Sequence, residues 1–252
     1  MNLKLNDKIV VITGATGGIG QYITLDFLRE GAIPVLLYRN EDKLKNLKEW
    51  LAEQVGTEGR IFAYNTSITD TKSITEVVKK IIAAHGQIDV LVNCAGFAVE
   101  APFLMLDEEA IERMLDVNLR SPLYLSKAVL RYMMRKKSGN IINISSASTH
   151  VWGRGIAVYA SAKAGLERLT QTLAQEVGKK KVRINAVCPG VIATEMSTNL
   201  RSVAEEIILT STALQKYGIP QEVAKSVLFL ASEETASFIT GHVLNVDGGL
   251  GL

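Results

Sequence analysis

An apolar run, Ile9-Val10-Val11-Ile12, leads straight into Thr13-Gly14-Ala15-Thr16-Gly17-Gly18-Ile19-Gly20, where a helical pattern begins. A short run without polar alternation suits a strand covered on both faces. The glycines at 14, 18 and 20 permit a tight turn. They also let backbone N–H groups come close to a pyrophosphate at the positive end of a helix. Further apolar runs follow at 34–38, 60–64, 90–92, 141–144, 182–187 and 243–246. Helical segments separate them. Between 71 and 84, Ile74, Val77, Val78, Ile81 and Ile82 fall at i, i+3, i+4, i+7 and i+8, which is one buried face. Strands alternating with helices predict an α/β fold: a single Rossmann-type, doubly wound parallel sheet of about seven strands, with helices on both faces. Ligands of such sheets bind beyond the carboxyl ends of the strands.

No linker, repeat or low-complexity tract divides the 252 residues, and 47% apolar content is enough for one core. Residues 1–252 are therefore expected to form one dinucleotide-binding domain. A net charge of +2 is too mild to point to nucleic acid. Two cysteines, Cys94 and Cys188, make no disulfide framework and fit a reducing compartment. The start lacks the apolar core of a signal peptide, and no run is long enough to span a bilayer. The expectation is a soluble, cytoplasmic protein. His85, His150 and His242 are scattered, so no metal site is expected.

The candidate chemistry lies further along. Tyr159 and Lys163 stand four residues apart in a helical stretch and so share a face. Ser146 lies thirteen before the tyrosine, where a strand ends. An ammonium beside a phenol stabilises the tyrosinate and lowers its pKa from about 10. Such a tyrosine serves as general acid in reduction and general base in oxidation. Ser146 is placed to hydrogen-bond the substrate oxygen as its charge changes. The chain also carries a second copy of the spacing, Tyr132-Met133-Met134-Arg135-Lys136, with Leu119 thirteen residues upstream. Lacking a serine there, this copy reads as a surface or subunit-contact feature.

Taken in order, these motifs resemble the short-chain dehydrogenase/reductase family across nearly the whole chain. The turn has that family's G-x-x-x-G-x-G spacing, and Asn93-Cys94-Ala95-Gly96 is similar to its N-N-A-G segment. Asp116-Val117-Asn118 matches the helix bearing its fourth catalytic residue. Pro189-Gly190-Val191-Ile192-Ala193-Thr194 resembles its P-G-x-x-x-T segment, and the end from Thr240-Gly241 to Asp247-Gly248-Gly249 also matches. The resemblance implies catalytic roles for Asn118, Ser146, Tyr159 and Lys163. It implies a cofactor cradle from Gly14, Thr16, Gly18, Ile19 and Gly20, with Asn93, Ala95 and Gly96 beside it. Tyr159, Lys163, Pro189, Gly190, Ile192 and Thr194 are placed at the nicotinamide end, and Arg39, Ser67 and Ile68 at the adenosine end.

The second strand ends Leu37-Tyr38-Arg39-Asn40, with no carboxylate at its tip. An acidic residue there selects NAD, whereas Arg39 can pair with a 2′-phosphate. NADP(H) is therefore expected over NAD(H). Ser67-Ile68-Thr69-Asp70 stands where the family carries D-V-x-D before the adenine, and the turn lacks the additional base of many NADP members.

Among the family's branches the chain is most similar to the 3-oxoacyl-[acyl-carrier-protein] reductases. This implies NADPH-dependent reduction of a 3-oxoacyl thioester, on acyl carrier protein or CoA, to the 3-hydroxyacyl form. Ile156-Ala157-Val158 replaces the polar Gln-x-Asn common before the tyrosine, so a sugar, polyol, steroid or other secondary alcohol stays open. A non-catalytic cofactor sensor is the remaining reading, against which all four catalytic positions are filled. His150, Trp152 and Met196 are placed at the substrate pocket, and 195–216 forms a substrate lid. Lys137 and Lys180 match carrier-docking positions of that branch, though a basic helix end is the plainer reading of each cluster. A homotetramer joined through the helices of 108–136 and 157–177 is also implied.

Overall fold

A computed structural model describes residues 2–56, 60–151 and 153–251. Seven strands form one sheet: β1 (Ile9–Thr13), β2 (Ile33–Tyr38), β3 (Phe62–Asn65), β4 (Val90–Asn93), β5 (Gly139–Ile144), β6 (Val182–Pro189) and β7 (Val243–Val246). Their order is β3-β2-β1-β4-β5-β6-β7, and every pairing is parallel. The strand order reverses at β1 and β4, which opens a crevice beyond their carboxyl ends. Among the described residues, ten α-helices accompany the strands. They are α1 (Gly18–Arg29), α2 (Glu41–Val55), α3 (Thr71–His85), α4 (Glu108–Leu115), α5 (Ser121–Lys136), α6 (Ala157–Val177), α7 (Thr198–Val203), α8 (Glu205–Ser211), α9 (Pro220–Ala231) and α10 (Glu233–Ala236).

The sheet is apolar on both faces because successive side chains of a strand point opposite ways. Val10 and Ile12 of β1 join the core beneath α1, α2 and α9. Ile9 and Val11 join the core beneath α3, α5 and α6. The predicted face of α3 is buried, with Ile74, Val77, Val78 and Ile81 nearly inaccessible. Asp70 caps that helix by accepting from the Lys72 and Ser73 N–H groups.

Three sequence expectations need adjustment. β3 begins at Phe62 rather than at residue 60, because it is an edge strand paired only with Val35–Tyr38 of β2. The helical region of 108–136 is two α-helices joined by a π-helical turn, Asp116–Arg120. There the Asn118 side chain donates to the Met114 carbonyl at 2.9 Å, competing for a helical acceptor. A widened turn of this kind often marks a functional position. The segment expected to form a lid consists of a 3₁₀ turn (Glu195–Ser197) followed by α7 and α8. Ile208 packs inward, whereas Met196, Val203 and Ile207 are exposed.

Candidate active site

The glycine turn sits where β1 meets α1, and the chain's own packing dictates its composition. Gly14 has φ +67°, and a Cβ there would stand 2.7 Å from the Ala95 backbone. At Gly20 a Cβ would stand 2.1 Å from the Gly14 carbonyl oxygen. A Cβ at Gly18 would meet the Thr194 side chain at 2.6 Å, so the P-G-x-x-x-T segment lies directly over the turn. The Thr13 hydroxyl oxygen accepts from the Cys94 and Ala95 N–H groups, each at 3.1 Å, and ties β1 to β4. Gly17 caps α1 without a side-chain acceptor. The first N–H groups of the helix thus lack a side-chain partner and form an anion-binding end at the crevice, beside Thr194. This cradle fits a dinucleotide pyrophosphate.

The other expected cofactor residues lie around the same crevice. Ile68, Asn93 and Ala95 line one small cavity with Thr13. The Met196 methyl is 3.8 Å from where a Gly96 Cβ would stand, so this residue reaches back to the N-C-A-G segment. Pro189 ends β6, Gly190 packs on the Asp247 backbone, and Ile192 is buried and bridged to Gly218. Thr16 and Ile19 are half-buried in the turn, and the Ser67 hydroxyl pairs with that of Thr69 at 3.1 Å. Arg39 is exposed immediately beyond β2. The nearby Glu41 carboxylate holds the Tyr38 phenol above its ordinary value through a hydrogen bond.

Beyond β5, the helix α6 delivers Tyr159 and Lys163 to the end of the strand that carries Ser146. Lys163 is only 3% exposed, donates to the Ile144 carbonyl at 2.7 Å, and has its Nζ 5.7 Å from the Tyr159 ring centroid. Burial depresses the ammonium to about 8, while the Cys94, Cys188 and Glu167 side chains pull it back up. Burial also raises the Tyr159 phenol; the Ser146 hydroxyl facing it pulls the other way. The expectation of a lowered phenol pKa is thus reversed in the protein alone, because desolvation outweighs the hydrogen bond. The phenol stays protonated, as a general acid must. Asn118 is fully buried. Its Oδ1 accepts from the Phe97 N–H at 3.2 Å, and its Nδ2 donates to the Phe97 carbonyl at 2.6 Å. It therefore locks the chain just after Gly96.

Of the pocket residues, His150 turns both ring nitrogens inward, Nε2 towards Asp247 Oδ2 at 3.2 Å and Nδ1 towards Thr149 Oγ1 at 3.4 Å. Trp152 lies outside the described residues. Lys137 and Lys180 precede β5 and β6, whose first residues, Gly139 and Val182, are register partners. The two lysines share one end of the sheet, and Ser146 stands at the other. Sequence reasoning missed Glu167 and Asp247. Glu167 was findable as the third member of the face holding Tyr159 and Lys163, at i+8 and i+4. Asp247 was not, since its partner His150 is 97 residues away.

A glycine cradle at a sheet crevice, with a buried lysine, a phenol and a serine converging beside it, defines a nicotinamide-dependent oxidoreductase. The chain belongs to the short-chain dehydrogenase/reductase family. Residues 14–251 match a family profile described as Enoyl-(Acyl carrier protein) reductase. Among similar proteins is the 3-oxoacyl-[acyl-carrier-protein] reductase FabG of Thermotoga maritima, 38% identical over 98% of this chain and 99% of that protein. The FabG of Escherichia coli is 36% identical over 98% and 99%. A short-chain type dehydrogenase/reductase from Mycobacterium ulcerans superposes with a TM-score of 0.92 at 32% identity, covering 98% of this chain and 90% of that one. The family acts on CH–OH and C=O groups with a nicotinamide cofactor. Among the described residues, no helix is long and apolar enough to cross a membrane.

Proposed function

We propose that this protein reduces a 3-oxoacyl thioester to its 3-hydroxyacyl form with NADPH. The observation that carries the chemistry is the convergence of Ser146 and Tyr159 at the end of β5, with the buried Lys163 behind the phenol. Full-length similarity to proteins named 3-oxoacyl-[acyl-carrier-protein] reductase supports the substrate class. When bound, the reduced nicotinamide supplies the hydride. Gly14, Gly18, Gly20 and the start of α1 hold the phosphates, and Thr194 closes over them. Ser146 steadies the substrate oxygen, and Tyr159 donates its proton to that oxygen. Lys163 stabilises the resulting tyrosinate. Asn118 holds the neighbouring backbone in place and supports proton resupply to Lys163.

Preference for NADPH rests on Arg39, exposed at the tip of β2 with no carboxylate beside it on that strand. Arg39→Asp is expected to move the NADPH:NADH ratio of kcat/KM by about 10- to 100-fold towards NADH, the loss of one or two charge-assisted contacts. The protein is further proposed to act as a cytoplasmic homotetramer.

Carrier docking at Lys137 and Lys180 has a geometric condition. The six residues of β5 span roughly 20 Å between that patch and Ser146. A docked carrier must therefore reach its acyl arm across that distance or deliver it to the site of a neighbouring subunit. Reversing the charge of both lysines should raise KM for a carrier-linked substrate and leave a small thioester unaffected.

A second reading, a non-acyl secondary alcohol or ketone, is favoured by one feature. Val158 is buried and Ile156 is half-buried where a polar pair would meet the acyl arm. The test is NADPH oxidation with an acetoacetyl thioester, set beside sugars, cyclic ketones and a crotonyl thioester. Turnover of the acetoacetyl thioester alone supports the proposal. Turnover only of ketones or sugars selects the second reading, and of the crotonyl thioester selects double-bond reduction.

A further inference from the structure

Ser146 has no rigid element of its own. It stands between the end of β5 and a single 3₁₀ turn, Ala147–Thr149, and its hydroxyl oxygen accepts from the Ser148 N–H at 3.2 Å. What holds this short segment against the helix bearing Tyr159 is a carboxylate. Ser145 Oγ donates to Glu167 Oε1 at 2.6 Å, and Thr149 Oγ1 donates to the same oxygen at 3.0 Å. The two donors bracket Ser146 in sequence. Glu167 lies on α6 one helical step beyond Lys163 and two beyond Tyr159, on the same face. The Ser146 carbonyl also lies 3.0 Å from Thr149 Oγ1, so the one hydroxyl proton is shared between the carboxylate and the serine's own peptide. The next residue, His150, continues the network to Asp247 beyond β7. Cys188 closes the other side of the cluster, its Sγ 4.0 Å from Thr149 Oγ1. Burial pushes that thiol up to about 12, so it stays neutral and the charge at this point is that of Glu167.

We propose that Glu167 is a positioning residue for the reaction: by gripping the hydroxyls on either side of Ser146, it sets where the Ser146 hydroxyl stands relative to Tyr159. Charge-assisted hydrogen bonds from two directions leave the segment little freedom. Because the carboxylate rides on α6, the serine and the phenol move as one body. A hydroxyl displaced by about 1 Å from a reacting oxygen costs on the order of 10²-fold in rate. The proposal rests on the reading of Ser146 as the group that steadies the substrate oxygen, and the test separates the two.

Four variants of the full chain are compared with wild type: Glu167→Leu, Glu167→Gln, Ser146→Ala, and Glu167→Leu combined with Ser146→Ala. Measured are kcat and KM for an acetoacetyl thioester, Kd for NADPH and the melting temperature. Glu167→Leu should lower kcat about 10- to 100-fold while Kd for NADPH stays unchanged. Glu167→Gln keeps an acceptor oxygen in place and should recover most of that loss. With Ser146 already replaced, Glu167→Leu should cost almost nothing more, since there is no hydroxyl left to position. Thr149→Val, which removes one of the two donors, gives a milder version of the defect should the leucine variant fail to fold. Equal losses in both backgrounds would overturn the proposal, as would an undiminished kcat in Glu167→Leu. A Ser146→Ala enzyme as fast as wild type would overturn the reaction reading itself.

Discussion

The chain contains the same five-residue spacing twice, and the two copies have opposite fates. Tyr132 and Lys136 end α5; Tyr159 and Lys163 lie near the start of α6. Helices antiparallel to their strands finish at the amino ends of the sheet and begin at its carboxyl ends. The first copy therefore lands at the closed end, the second in the crevice where cofactors bind. Lys136 is partly exposed and committed to structure. Its Nζ donates to Asp89 at 2.8 Å and to Gln87 at 2.6 Å. Asp89 in turn accepts from the Ile9 N–H at 2.9 Å. Lys163 is buried, with one carbonyl partner at 2.7 Å and a depressed pKa. The difference teaches that a lysine becomes suited to proton transfer when the fold removes its water and leaves its ammonium on a backbone carbonyl, with no carboxylate in ion-pair contact.

The largest contrast is expected at the phenols. Tyr159→Phe should lower kcat for reduction by roughly 10³-fold, the usual weight of a general acid, while Tyr132→Phe leaves it unchanged. Steady-state rates of both variants would check this; a slow Tyr132→Phe enzyme would break the comparison.

Next comes pH. Lys163 carries its charge below about 8 and loses it above. Tyr159 is raised from 10 and stays protonated through that range, so the phenol does not set the limit. The kcat/KM for reduction should therefore be level up to about pH 8 and then fall about tenfold per pH unit. A profile level to pH 10 would contradict the assignment.

The smallest effect belongs to the structural lysine. Lys136→Ala should leave kcat intact but cost about 1–2 kcal/mol of stability, since Asp89 is buried and its one other cationic partner among the described residues, Lys8, stands farther off at 3.8 Å. For a chain of this size that lowers the melting temperature by about 4 °C, measurable by calorimetry.

Much of the fold was legible in the sequence. The apolar runs of β1, β4 and β5 needed both faces covered, and the face of α3 was spelled out at helical period. The glycine turn was legible because only its composition survives the close approach of Ala95 to Gly14 and of α1 to the Gly14 carbonyl. The four positions expected to be catalytic were picked out through their order along the chain. Less visible was everything that depends on distant partners. The Asn118 side chain bonds the Phe97 backbone, 21 residues away. The grip of Glu167 on both sides of Ser146 joins α6 to β5. Whether burial or the lysine governs the Tyr159 phenol is a balance of solvent exclusion and contacts that no motif encodes.

The sequence by itself determined the alternation of strands and helices, the phosphate turn and the residue types at the reacting centre. These are local properties, set by side-chain periodicity and by where a backbone tolerates no Cβ. Only the tertiary structure decided which tyrosine–lysine pair meets the crevice, how far each group's charge is shifted, and which carboxylate holds the serine. Those outcomes depend on desolvation and on hydrogen bonds between segments distant along the chain, which exist only once the sheet has closed against its helices.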